Sequence, residues 1–324
     1  MRSDKIVGAL MGTAVGDALG MPIEGLSHQN VRTYYKGIKE YRADDQRGDF
    51  DAGQWTDDTQ FTFAIARAFV EAEGLDDWPT RTAEAYVDLR DDARRWGPTT
   101  TAAVDRLAEG TAWQESGDPE RPTDGAAMRA APLGVWWAVS DASRAEAFEV
   151  IRPLLAITHR HPAALAAGFG QAFAVKMAFE QSVDDFDRAA FWSALTETTI
   201  WAEQQLGDDH RVSERLTRLR GHLREFPLDL RDLCDGASVR ADEAWPFAAA
   251  MFARAPHLVE NTLLSGINVG GDADTTGAMM GALLGALHGW SAFPDEWHDG
   301  LEASPDLEAQ AQAFADRLGE GGNG

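Results

Sequence analysis

The 324-residue chain has one cysteine, Cys234, and four lysines, Lys5, Lys36, Lys39 and Lys176. A single thiol excludes an intrachain disulfide and suits a reducing cytoplasm. Positive charge is scarce: 29 Lys and Arg stand against 53 Asp and Glu, a net charge of −24. Such a field repels phosphate backbones and argues against a nucleic-acid partner. Taken alone, the acidity reads as adaptation of the surface to a salty cytoplasm. Long apolar runs are missing too. Residues 6–15 are apolar and follow Arg2 and Lys5, but Asp17 and Glu24 break the run short of the roughly 18 residues of a membrane span. There is no Gly-x-x-x-x-Gly-Lys-Ser/Thr phosphate loop, no βαβ pattern and no Pro/Ser linker. The expectation is a soluble, unprocessed, cytoplasmic monomer with no membrane partner.

The 44% apolar content is enough for a sizeable core. Its spacing is helical rather than alternating. Phe61, Ala64, Ile65, Ala68 and Phe69 follow the i, i+3, i+4, i+7, i+8 pattern of a buried stripe. Pro162 stands where a first-turn proline starts a helix running through Ala166, Phe169, Phe173 and Met177, and Pro246 reads the same way, opening a segment towards Phe252. Residues 37–54, 114–125 and 204–212 read as loops. The whole predicts one compact all-α domain over 1–318 with a flexible tail at 319–324. Glycine recurs every fourth residue at Gly8, Gly12, Gly16 and Gly20, and again at Gly277, Gly281, Gly285 and Gly289. Each helical glycine costs about 1 kcal/mol against alanine, so the two stripes call for close approach of another backbone.

Two acid clusters stand just before helical segments: Thr56-Asp57-Asp58-Thr59, and Gly270-Gly271-Asp272-Ala273-Asp274-Thr275. Threonine and aspartate cap helices, and one such cluster alone reads as a cap. Two clusters, each with more acids than capping requires, point elsewhere, because packed carboxylates repel unless a cation or protons neutralise them. Hard oxygen donors suit Mg²⁺, Mn²⁺ or Ca²⁺ rather than zinc. An EF-hand is excluded, since Leu283 occupies the position of its bidentate glutamate.

With these clusters the chain resembles the ADP-ribosylglycohydrolase family. Residues 8–20 are similar to the family's opening helix, and Glu24 follows where it places a functional acid. Trp55 to Thr59 resembles the first metal motif and Gly270 to Thr275 the second. Gly125-Ala126-Ala127-Met128-Arg129, with 131–134, resembles the central substrate loop, and Thr158-His159 and His161-Pro162 match a further signature.

The resemblance implies an all-α hydrolase that cleaves the glycosidic bond between ADP-ribose and an acceptor with two divalent cations, Mg²⁺ or Mn²⁺. Thr56, Asp57 and Asp58 would hold one ion, and Asp272, Asp274 and Thr275 the other. Catalysis would rest on Glu24, Asp57 and Asp274, with Glu24 moving a proton or gating the centre. Asp124, Gly125, Ala126, Ala127, Met128 and His159 would bind substrate. Asp124 departs from the family's usual asparagine and sets a negative charge near a diphosphate. The implied partner is an ADP-ribosylated protein, arginine-linked first, or a small ADP-ribosyl conjugate. The competing reading is a non-catalytic ADP-ribose binder or structural protein on the same fold, against which the retained acids weigh. His161, Phe247 and Phe252 read as structural.

Overall fold

The computed structural model describes residues 2–207 and 211–321. Among these there is no strand, only isolated bridges such as Thr123 with Arg240. Eight helices frame or flank the interior: α1 (Arg2–Gly20), α2 (Asp57–Glu71), α3 (Gly125–Met128), α4 (Ala131–Val139), α5 (Pro162–Glu180), α6 (Ala241–Arg254), α7 (Ala273–His288) and α8 (Ser304–Gly321). Residues 319–321 of the expected tail therefore belong to α8, and 322–324 lie outside the described residues.

The two glycine stripes pack on each other. A Cβ on Gly16 would stand 2.0 Å from the Gly277 carbonyl oxygen, and one on Gly12 would stand 2.2 Å from that of Gly281. The helices run antiparallel, with Gly8 beside Gly285 and Gly20 beside Ala273. No side chain fits between them. The contact is backbone on backbone, which offsets the helical cost of glycine. Every residue of α1 from Ile6 to Gly20 is buried, as is α7 from Ala273 to Leu287. The first helix is long and apolar enough to cross a membrane, yet its apolar window lies wholly inside the protein.

Helix α5 starts at Pro162 as the sequence predicts, with the His161 side chain accepting from Ala163 N at 3.1 Å. Helix α6 corrects a reading. It begins at Ala241, five residues before Pro246, so the proline lies inside the helix and leaves the carbonyl four residues earlier without its usual donor. Phe247 and Phe252 are fully buried core residues. Within the expected loop at 114–125, Trp113–Ser116 forms a short helix. The loop at 204–212 narrows, because the helix Arg188–Leu206 and the helix Arg211–Leu219 intrude from either side; 208–210 lie outside the described residues. A buried polar chain ties three core helices together: Trp245 Nε1 donates to Gln171 Oε1, and Gln171 Nε2 to Met279 O, each at 3.0 Å.

Candidate active site

Because α1 and α7 are antiparallel, the last turn of α1 meets the first turn of α7. The first turn of α2 arrives at the same place. Asp17, on α1, is fully buried and fixes that meeting. It accepts Thr56 N at 2.9 Å, Thr56 Oγ1 at 2.9 Å, Thr59 N at 3.1 Å and Thr59 Oγ1 at 2.6 Å. A carboxylate from another helix thus does the work of an N-cap, since Thr56 occupies the cap position of α2 without capping it. Asp272 occupies the cap position of α7, also without a side-chain cap. Capping therefore explains neither cluster.

The two clusters converge. Thr275 Oγ1 lies 3.4 Å from Asp58 Oδ2, and Thr56 Oγ1 lies 3.3 Å from the same oxygen. Asp58 Oδ1 and Asp274 Oδ1 are buried with no hydrogen-bond partner. Burial pushes the carboxyls of Asp57, Asp58, Asp272 and Asp274 well above the ordinary range. The next causes are Asp17 for Asp57 and Asp58, Glu24 for Asp274, and Asp124 for Asp272. Burial also pushes Asp17 up to about 6, against the four hydrogen bonds that pull it down. Acids gathered this way want a counter-charge. Among the described residues, no three His, Cys, Asp or Glu side chains already stand as a metal-holding group. Carboxylate oxygens without partners, interleaved with threonine hydroxyls, nevertheless fit a hard divalent cation by donor type.

Above this floor opens a cleft of about 160 Å³, lined by Glu24, Asp57, Asp124, Asp272, Asp274 and Thr275 together with Arg95, Thr123, Gly125, Met128, His159 and Val239. Thr56 and Asp58 are buried beneath it. Ala126 and Ala127 are fully buried in the core behind the wall, so of the central loop only Asp124, Gly125 and Met128 reach the cleft. A roomier, more apolar cleft between Phe69, Trp136 and Leu318 contains none of the acids.

Glu24 follows the short 3-10 turn Met21–Ile23, and its loop is stitched to the second cluster by Gly25 N to Gly271 O at 2.8 Å and Gly271 N to Leu26 O at 2.9 Å. Its Oε2 accepts Arg47 Nη1 at 3.0 Å and Arg95 Nη1 at 3.3 Å. Arg95 is also bound to Asp44 and Asp49.

His159 is buried, and burial, then the Arg129 charge, holds its ring well below the usual pKa, hence neutral. The Thr158 hydroxyl, which accepts from Arg129 Nη2, stands 2.7 Å from Nδ1, and this leaves Nε2 to donate to Thr123 Oγ1 at 2.9 Å. Both ring nitrogens are engaged. A Cβ at Gly125 would lie 2.5 Å from His159 Cε1, so the ring backs the glycine that forms the wall. Arg129 is fully buried between Phe61 and Tyr86, 5.5 and 5.4 Å from the ring centroids.

Sequence reasoning quoted Asp17 and Arg129 within motifs and gave neither a role. For Asp17 a signal was present, since a lone charge on a helix apolar all round must be partnered inside the protein.

Fold and cleft together define an all-helical protein with an acid- and threonine-lined centre. The ADP-ribosylglycohydrolase family model matches residues 1–323, and the chain belongs to that family. An uncharacterized protein of Archaeoglobus fulgidus is 32% identical over 310 residues, covering 95% of each chain. The ADP-ribosylarginine hydrolase Tri1 of Pseudomonas putida is 26% identical, over 97% of this chain and 78% of its own. A solved ADP-ribosylglycohydrolase-related protein superposes with a TM-score of 0.76 at 26% identity, over 98% of this chain and 99% of the other.

Proposed function

We propose that this hydrolase releases ADP-ribose from an arginine side chain of a modified protein and works with two divalent cations, Mg²⁺ or Mn²⁺. The carrying observation is the pair of buried, unpartnered oxygens, Asp58 Oδ1 and Asp274 Oδ1, at two helix starts that no side chain of their own caps. Thr56, Asp57 and Asp58 hold one ion in this reading, and Asp272, Asp274 and Thr275 the other. When bound, such ions supply Lewis acidity that polarises a water and orients a vicinal diol. Glu24, anchored in the cleft wall by Arg47 and Arg95, would accept a proton from the attacking water and return one to the departing guanidine nitrogen. Gly125, with no side chain, makes room for the His159 ring, which packs against this part of the cleft lining. The name of the Pseudomonas putida relative supports the arginine acceptor.

The test is release of free ADP-ribose from an arginine-ADP-ribosylated protein, with Mg²⁺ or Mn²⁺ and with EDTA, at low and high salt. Release with either metal and none in EDTA is the expected result. Equal release in EDTA would overturn the metal reading, and no release from this substrate would overturn the acceptor.

A further inference from the structure

A third buried oxygen in the cleft lacks a partner, and it belongs to neither acid cluster. Asp124 is 5% exposed, and its Oδ2 has no hydrogen-bond partner. It occupies the cap position of α3, yet its side chain makes no cap bond. Its backbone position has a definite cause. The loop before α6 runs through Asp235, Gly236 and Ala237 with φ of 52°, 107° and 51°, then extends to Arg240. Ala237 O accepts Asp272 N at 3.0 Å, and Val239 O, two residues on, accepts Asp124 N at 3.1 Å. Ala241 N to Pro122 O at 2.9 Å closes the seam. One short loop therefore holds the backbones of Asp124 and Asp272 side by side, and their carboxyl groups lie within hydrogen-bonding reach of each other.

Among the described residues, no cation is paired with either carboxyl group. Arg240, the nearest along the seam, is bound to Asp242 and Glu243. The other charges acting on Asp124 are Asp58 and Asp274, both negative. A buried carboxylate that lines one cleft with other carboxylates and keeps an oxygen without a partner is placed as a ligand.

We propose that Asp124 is a further carboxylate ligand of the divalent centre, sharing with Asp272 a hard cation such as Mg²⁺ or Mn²⁺; this rests on the cation reading of the site given above. One more charge in the ligand set tightens binding, since charge count tunes the affinity of oxygen sites. It also resolves the clash of an acid with a diphosphate substrate: with its charge spent on the cation, Asp124 no longer repels the phosphates.

Mn²⁺ uptake by the EDTA-stripped, dialysed full chain tests this without substrate, with free Mn²⁺ read by electron paramagnetic resonance. Wild type, Asp124→Asn, Asp124→Ala and, as reference, Asp272→Asn are compared, each checked for folding by a metal-free thermal melt. Asp124→Asn is nearly isosteric and keeps one oxygen donor. It should weaken Mn²⁺ binding about tenfold, Asp124→Ala should weaken it further, and the Mn²⁺-induced rise in melting temperature should shrink in the same order. If both folded Asp124 variants take up Mn²⁺ with wild-type affinity and stoichiometry while Asp272→Asn does not, Asp124 is no ligand and the cation reading stands. If wild type takes up no Mn²⁺, that reading falls and this proposal with it.

Discussion

The first turn of α2 is held by a side chain, whereas the first turn of α7 is held by backbone. At α2, Asp17 reaches across from α1 and gathers two N–H groups and two hydroxyls. At α7, Gly270 and Gly271 turn with φ of 76° and 84°, Gly271 N donates to Leu26 O, and the next residue, Asp272, donates its N–H to Ala237 O. Both starts present carboxylates to one cleft, so the chain aims a charged centre by two devices. The side-chain device rests on one carboxylate, which a substitution can remove without adding a clash. The backbone device leaves no room for change, because the same glycines pin the Glu24 loop on one side and the 235–240 loop on the other.

That contrast makes substitutions unequal. The largest effect on folding is expected for Gly271→Ala. Its φ is unfavourable for an L side chain, and the new Cβ would lie 2.6 Å from Ala237 O and 2.7 Å from Gly236 O, both backbone atoms. Strain and overpacking together should cost about 3 kcal/mol or more, read as a loss in urea midpoint. Asp17→Ala should cost about 2 kcal/mol. Four donors lose their acceptor, but relief of a buried carboxylate and rotation of two hydroxyls offset part of the loss. Its signature is selective: Mn²⁺ affinity should fall through the loosened Thr56 and Asp58, while the Glu24 loop, tied to Gly271, keeps its protection in hydrogen exchange. Equal exposure of both helix starts would dissolve the distinction.

Asp58→Asn and Asp274→Asn probe the centre that both devices serve. Each removes charge from an unpartnered, buried carboxyl among other acids. In the metal-free protein at neutral pH each should raise stability by about 1 kcal/mol while turnover falls below detection, the trade expected of a strained functional site. A metal-free melt beside an activity assay checks this. A destabilised variant would show that these acids serve the fold, against the reading of them as ligands.

Much of this was legible in the residues. The glycine stripes announced a close backbone approach, and the structure makes them each other's partner; spacing within one helix cannot say which helix lies opposite. Both acid clusters were legible as more than caps, because they carry more charge than a cap uses. Their convergence was not, since Thr275 and Asp58 are 217 residues apart and meet through α1. Asp17 was legible only as a break in an apolar run, because its partners, Thr56 and Thr59, lie 39 and 42 residues away at the start of α2. The misreading of Pro246 has a local cause. Proline favours the first helical turn, and here tertiary burial of α6 on all sides overrides the lost backbone bond. Ala126 and Ala127 were expected at the substrate through the resemblance, and their small size lets them be buried in the core instead.

The smallest effect sharpens the comparison from outside. The helix Arg144–Ala156 starts with a working capping box: Ser143 Oγ accepts Glu146 N at 3.3 Å, and Glu146 Oε2 accepts Ser143 N at 2.8 Å. Here hydroxyl and acid satisfy each other, nothing is left unpartnered, and the pair is exposed. Burial is absent and the hydrogen bonds to Ser143 hold the Glu146 carboxyl below its usual range, opposite in direction to Asp57, Asp58, Asp272 and Asp274. Ser143→Ala should therefore cost about 1 kcal/mol, as an ordinary cap does, with turnover and Mn²⁺ affinity unchanged. A thermal melt and a Mn²⁺ titration on this one variant separate the two uses of a threonine- or serine-led acid motif. If its loss disturbed the metal titration, the rule that a cap is recognised by mutual satisfaction, and a site by its absence, would not hold in this protein.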